Sequence, residues 1–196
     1  MVEDLRVPLD GQLRFERFGQ PGALSIVAGS HLVYAYAWLG EFAAALAEGQ
    51  SALETAETIG HPYEISFAAS AFGFALRYRG EYEKALAISR LGVEACERSD
   101  VTTWVSRLYA NLAVALARSG EVTAGAAIAR LVTPAKPIDE AFFACAMAEV
   151  FLQSADQAAA VAWSEKAFAL SRETRQRALQ VAATARCRPS TCWCSA

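Results

Sequence analysis

The chain holds little of what catalytic sites are made from. Its 196 residues include two histidines, His31 and His61, thirty positions apart. A histidine that moves protons or binds a metal needs a nucleophile or carboxylates in register with it. Neither histidine stands in such a pattern, and His-Glu-x-x-His, Gly-x-Ser-x-Gly and acidic calcium loops are all absent. Three lysines occur, Lys84, Lys136 and Lys166, and none follows a glycine, so there is no Gly-x-x-x-x-Gly-Lys loop to cradle phosphates. These absences predict a chain that is not an enzyme and carries no cofactor and no metal.

Charge is also scarce. Charged residues make up 20% of the chain and the net charge is −3, with an isoelectric point near 5.5, which gives no pull toward nucleic acid or an anionic membrane. Between Arg17 and Glu41 there is no formal charge at all. Pro21, Ser25, Ser30 and His31 interrupt that segment and its apolar residues recur at helical spacing, so it reads as a buried helix rather than a membrane span. The opening "MVEDLRVPLDGQ" is acidic and lacks the apolar core of a secretory leader, which predicts a cytoplasmic protein.

Cysteine is present without a framework. Cys96 and Cys145 fall on apolar helical faces, where a thiol acts as a small hydrophobe. Cys187, Cys192 and Cys194 crowd the last ten residues with no neighbouring histidine and no Cys-x-x-Cys pair, so they read as a tail rather than a zinc site. That arginine- and cysteine-rich end breaks the lettering of the rest, which suggests a truncation or frame change in a longer repeat region.

What the chain does have is a ruler. "WLGEF", "YRGEY" and "RSGEV" place Gly40, Gly80 and Gly120 forty residues apart. Seven residues before each glycine stand Val33, Gly73 and Ala113; four before stand Tyr36, Leu76 and Leu116. These slots share one helical face. After the glycines, Ala45, Ala85 and Gly125, then Ala52, Gly92 and Val132, mark a second helix with a stripe of small residues. A fourth copy fits at a step of 35, with Ala155 in the turn slot and Met147, Ala148, Phe151, Ala160, Val161 and Ala167 around it. Each unit is therefore a helical hairpin, the glycine ending its first helix in a left-handed turn and the glutamate after it charging the first turn of the second. No hairpin buries its own apolar face, so the units must stack.

Helices are expected near 24–39, 42–59, 63–79, 82–98, 101–119, 122–131, 138–153, 156–172 and 174–186. The hairpins are 21–60, 61–100, 101–137 and 138–172, after an irregular segment 1–20 and before a final helix and tail, 173–196. The fold class is all-α.

This pattern resembles the tetratricopeptide repeat, with its small residue in the first helix, Gly-x-aromatic turn and two alanines seven apart. Gly73, Gly80, Tyr82 and Ala85 match, as do Gly40, Phe42, Ala45 and Ala52, and Ala148, Ala160 and Ala167. Gly92, Gly125 and Val122 depart from it, and the forty-residue step exceeds the family's 34. The run "GHPYEISFAASAFGFALRYRGEYEKAL" is similar to the C-terminal repeats of bacterial regulators that join a class III adenylate-cyclase-like or other effector domain to an ATPase module, over residues 14–172.

The resemblance implies a right-handed α-α superhelix of about four hairpins whose first helices line a concave groove. Carried across, the groove residues are Ser30, Tyr34 and Trp38; Ser70, Phe74, Arg77 and Tyr78; Arg107, Val114 and Arg118; and Glu149 and Gln153. Aromatics beside arginines suit an extended or helical peptide with acidic groups, although Tyr34, Trp38 and Phe74 fit equally well as packing between helices and the arginines as solvent-facing residues. The expected partner is a protein or peptide, with no nucleic acid and no membrane. Self-association as a structural module is the rival reading, and an enzyme with an unrecognised site the third.

Overall fold

The computed structural model describes residues 11–134 and 136–187. After a 3-10 turn at Gly11–Phe15 come α1 (Leu24–Leu39), α2 (Phe42–Ile59), α3 (Pro62–Arg79), α4 (Tyr82–Glu97), α5 (Val105–Arg118) and α6 (Val122–Ala127), then a 3-10 turn at Ile128–Arg130, α7 (Pro137–Gln153), α8 (Gln157–Glu173) and α9 (Arg177–Cys187). There is no strand among the described residues, and the fold is all-α. No described helix is long and apolar enough to cross a membrane.

The helix ends follow the ruler closely. Gly40, Gly80 and Gly120 take φ of 81°, 89° and 97°, a left-handed conformation that costs a residue with a Cβ about 1–2 kcal/mol. One residue on, the N–H groups of Glu41, Glu81 and Glu121 donate back to the carbonyls of Tyr36, Leu76 and Leu116, each at 2.9 Å. This six-to-one bond closes the first helix. The glutamates thus occupy the N-cap position rather than the first turn, and their side chains make no capping bond. A left-handed residue also marks three joints after the second helix of a hairpin, at Gly60 (72°), Asp100 (52°) and Arg175 (57°). In the fourth hairpin Ala155 takes φ of 58° in the expected turn slot, and Asp156 accepts a capping bond from the Ala159 N–H at 3.0 Å.

Three helices differ from expectation: the last begins at Arg177 instead of 174, after left-handed Arg175, and two lie in the third hairpin. The first of these two begins at Val105 instead of 101. Left-handed Asp100 and a bond from the Val101 N–H to the Cys96 carbonyl use up the joint, and Thr102 and Thr103 are weak helix formers. The second stops at Ala127 and tightens into a 3-10 turn, so Val132 lies beyond it. β-branched Val122 and Thr123, together with Gly125, lower its propensity. Gly125 is there for clearance: a Cβ would sit 2.6 Å from the Ala113 carbonyl oxygen.

The chain divides into two compact units whose boundary, between Leu108 and Tyr109, falls inside α5. In the first, consecutive helices pack in turn and α1 also packs on α3, bringing equivalent first helices together. Phe67, Phe74, Ile26, Leu76 and Val33 are fully buried there. Each large side chain contributes about 1.5–3 kcal/mol by leaving water. Small residues set the helix spacing: a Cβ on Gly49 would meet Phe72 at 2.5 Å, and one on Gly92 would meet Leu108 at 2.4 Å and the Ala69 Cβ at 2.9 Å. The second unit repeats this scheme. There α7 packs on α8 and on α9, with Phe143, Met147, Val150 and Leu179 in its core.

Candidate functional site

The candidate groove residues are best described unit by unit. In the first unit, α1 supplies Ser30, Tyr34 and Trp38 at four-residue steps, and α3 supplies Ser70, Phe74, Arg77 and Tyr78. Because α1 packs on α3, slots forty residues apart in the chain meet. Tyr34 lies 5.0 Å from Phe74, and Trp38 lies 5.2 Å from Tyr78 and 5.3 Å from Phe74, between ring centroids. Phe74 and Tyr78 are 4.4 Å apart. The four rings form one continuous cluster at these tilted and edge-on distances.

The cluster is graded from core to surface. Ser30, Ser70, Tyr34 and Phe74 are buried, and the Tyr34 and Ser70 hydroxyls lie 3.1 Å apart. These four belong to the packing between helices. Trp38 and Tyr78 are partly exposed, beside the two glycine turns. A ligand on this face would meet those two rings first.

Arginines lie on the rings. Arg107 sits 5.3 Å from the Tyr34 centroid and 5.6 Å from that of Trp104. The Arg77 guanidinium carbon is 4.9 Å from the Tyr78 centroid and 5.4 Å from that of Phe74. Arg77 is only 5% exposed, and its Nε and Nη1 are sealed from solvent with no hydrogen-bond partner. Cation–π attraction offsets part of the desolvation. It does not replace a counter-ion: a buried charge stripped of its partner costs about 3–5 kcal/mol.

The second unit holds Val114, Arg118, Glu149 and Gln153. Val114 is buried and belongs to the packing, while Gln153 is exposed. Arg118 donates from Nε and Nη2 to Glu149 Oε1 at 3.3 and 3.2 Å, so two of the expected ligand contacts partner each other.

Sequence reasoning missed one ionic group. Glu64 is fully buried, with Oε1 2.7 Å from Arg17 Nη2 and Oε2 2.8 Å from His61 Nδ1. Neither oxygen has a well-angled hydrogen bond; the Arg17 contact is an ion pair, whereas the His61 contact is one only when Nδ1 carries a proton, a state that excludes its accepting the capping bond of α3. His61 caps α3, its Nδ1 accepting from the Tyr63 N–H at 3.2 Å. The signal was legible in "HPYE": a cap, proline at the first helical position and an acid three residues on. His31 bonds the Val27 carbonyl at 2.7 Å and sets its edge on Phe67. Both histidines thus serve helix ends and faces.

The remaining chemistry is quiet. Cys96 and Cys145 are buried free thiols, and burial pushes the Cys96 thiol above its ordinary 9.0. Glu81 is held below the usual carboxylate range by its bond from Lys84. Among the described residues no cluster of three or more His, Cys, Asp or Glu is gathered for a metal. Cys192 and Cys194 lie outside the described residues, and Cys187 ends α9. No protein-family model, no curated protein and no solved structure matches this chain.

Proposed function

We propose that this chain is a tetratricopeptide-like, non-catalytic scaffold that binds a protein segment on the face formed by α1 and α3. The observation that carries the reading is the graded ring cluster: Tyr34 and Phe74 anchored in the core, Trp38 and Tyr78 half-open above them, and a guanidinium on the rings. Rigid aromatics with arginine are the residue types that concentrate binding energy at interfaces. The left-handed turns at twenty-residue steps from Gly40 to Gly120, and the packing of equivalent first helices, support stacking into an α-α superhelix.

On this reading the mechanism is recognition and positioning of a neighbouring domain, with no bond made or broken. The protein would act in the cytoplasm as the regulatory or sensing region of a bacterial signalling protein of the ATPase or cyclase type. Peptide-array screening tests it: peptides retained by the wild type should be lost when Trp38→Ala and Tyr78→Ala are combined, with helicity unchanged by circular dichroism. Identical retention by the double variant overturns the face assignment.

Self-association is the second reading, favoured by exposed apolar side chains on the last two helices. Val161, Phe168 and Val181 are 45%, 39% and 71% exposed. Light scattering over a concentration series decides it, since a monomer at high micromolar concentration removes the reading.

A further inference from the structure

We infer that Arg77 is an anion-binding residue, and that it takes a single carboxylate from a protein segment whose apolar neighbour rests on Trp38 and Tyr78. The inference rests on the binding face proposed above and names the chemistry of its ligand.

The first argument is pairing. Arg17 has Glu64, Arg79 has Glu81 and Arg118 has Glu149. Arg77, the most enclosed of these four, has no acid among the described residues, and two of its nitrogens are sealed without a partner. Buried charges are ordinarily paired, so an unpaired guanidinium beside half-open rings marks a place where a partner is missing.

The second argument is stereochemical. The Tyr78 and Phe74 rings lie against the guanidinium at 4.9 and 5.4 Å. All guanidinium donors lie in one plane and point outward from its edges. Ring contacts do not use those donors, and Nε and Nη1, enclosed and without a hydrogen-bond partner, are left to match a planar acceptor such as a carboxylate once the site opens.

The third argument is charge. One uncompensated cation balances one monoanion. A phosphate dianion would need a second cation, and Arg107 is already engaged with Tyr34, Trp104 and further contacts. The net charge of −3 does not favour polyanions either. Nε and Nη1 are enclosed, so access needs a surrounding side chain to turn aside, a rotamer change of the kind common at interfaces.

The test uses the full chain labelled with 15N, reading the Arg77 Nε–H resonance, assigned by its loss in Arg77→Gln. The probes are 3-phenylpropionate, its uncharged amide, and inorganic phosphate, at matched ionic strength. The acid should move the Arg77 resonance with saturation, the amide should leave it in place, and the Arg118 resonance should not follow the acid. An Arg77 resonance that ignores the acid, answers acid and amide alike, or saturates with phosphate at lower concentration than with the acid overturns the inference. Backbone amides of α1 and α3 separate the two levels of failure. If acid and amide both move amides around Trp38 and Tyr78 while Arg77 stays still, the binding face stands and only the anion assignment falls. If neither probe moves them, the face falls too.

Discussion

Trp38 and Tyr78 stand forty residues apart in the chain and meet edge to face, their ring centroids 5.2 Å apart. Each is two residues before a glycine turn, so they are the same slot of successive hairpins. The repeat brings like positions together, and a substitution in one hairpin is felt by its counterpart in the next.

Arg77→Met should stabilise the protein. The variant keeps a long apolar stem and removes a buried cation that has no counter-ion among the described residues. Replacing buried ionic groups by apolar ones of similar size gains about 1–4 kcal/mol where the charge is poorly compensated. At about 2–4 °C per kcal/mol, Tm should rise by several degrees. A Tm lower than wild type in a thermal scan would show that the guanidinium is already compensated.

Ala155→Gly should stabilise as well, by about 0.5–1 kcal/mol. At φ of 58° an alanine pays the left-handed cost, which exceeds the chain entropy a glycine adds to the unfolded state. Gly80→Ala, the same change reversed at φ of 89°, should cost about 1 kcal/mol. Denaturant midpoints moving in opposite directions, with unchanged m-values, are the expected outcome.

Gly92→Ala should destabilise for a different reason. Its backbone is helical, where alanine is intrinsically favoured, yet the new Cβ would press on the Leu108 side chain and the Ala69 Cβ. Overpacking of this kind costs about 1–3 kcal/mol. Pairing it with Leu108→Val should recover part of the loss, because only the Leu108 half of the clash is relieved. Equilibrium unfolding of the single and double variants checks both statements.

Stability should fall on the alkaline side. Burial raises the Cys96 thiol above 9.0 and the Tyr63 phenol above 10.0. A raised folded-state value means that the native state holds the proton longer than the unfolded state. The contribution is therefore intact below the unfolded value and is lost as pH climbs from there through the folded one. The decline should begin near pH 9. Cys96→Ala should flatten its first part, which urea unfolding at stepped pH would read.

Much of the architecture was legible because helix ends are local events. Gly40, Gly80 and Gly120 announce left-handed turns by having no Cβ. Asp100, Ala155 and Arg175 take the same conformation with a Cβ, so the half-repeat of twenty residues is hidden in the letters and visible in φ. The third hairpin misled in the same way. The slots of α6 continue to Val132, but the helix ends at Ala127, with Val122, Thr123 and Gly125 lowering its propensity.

The candidate face was legible only in outline. Helical register was enough to put Tyr34, Trp38, Phe74 and Tyr78 on one side of their helices, since register is a property of the chain itself. Charge pairing is not. Arg77 and Arg118 look alike in the letters, each a few residues before a glycine. In the fold, Arg118 finds Glu149 thirty-one residues away, and Arg77 finds only rings. Whether a guanidinium is neutralised depends on which acids come within about 4 Å in space, and that distance is settled by how the helices pack.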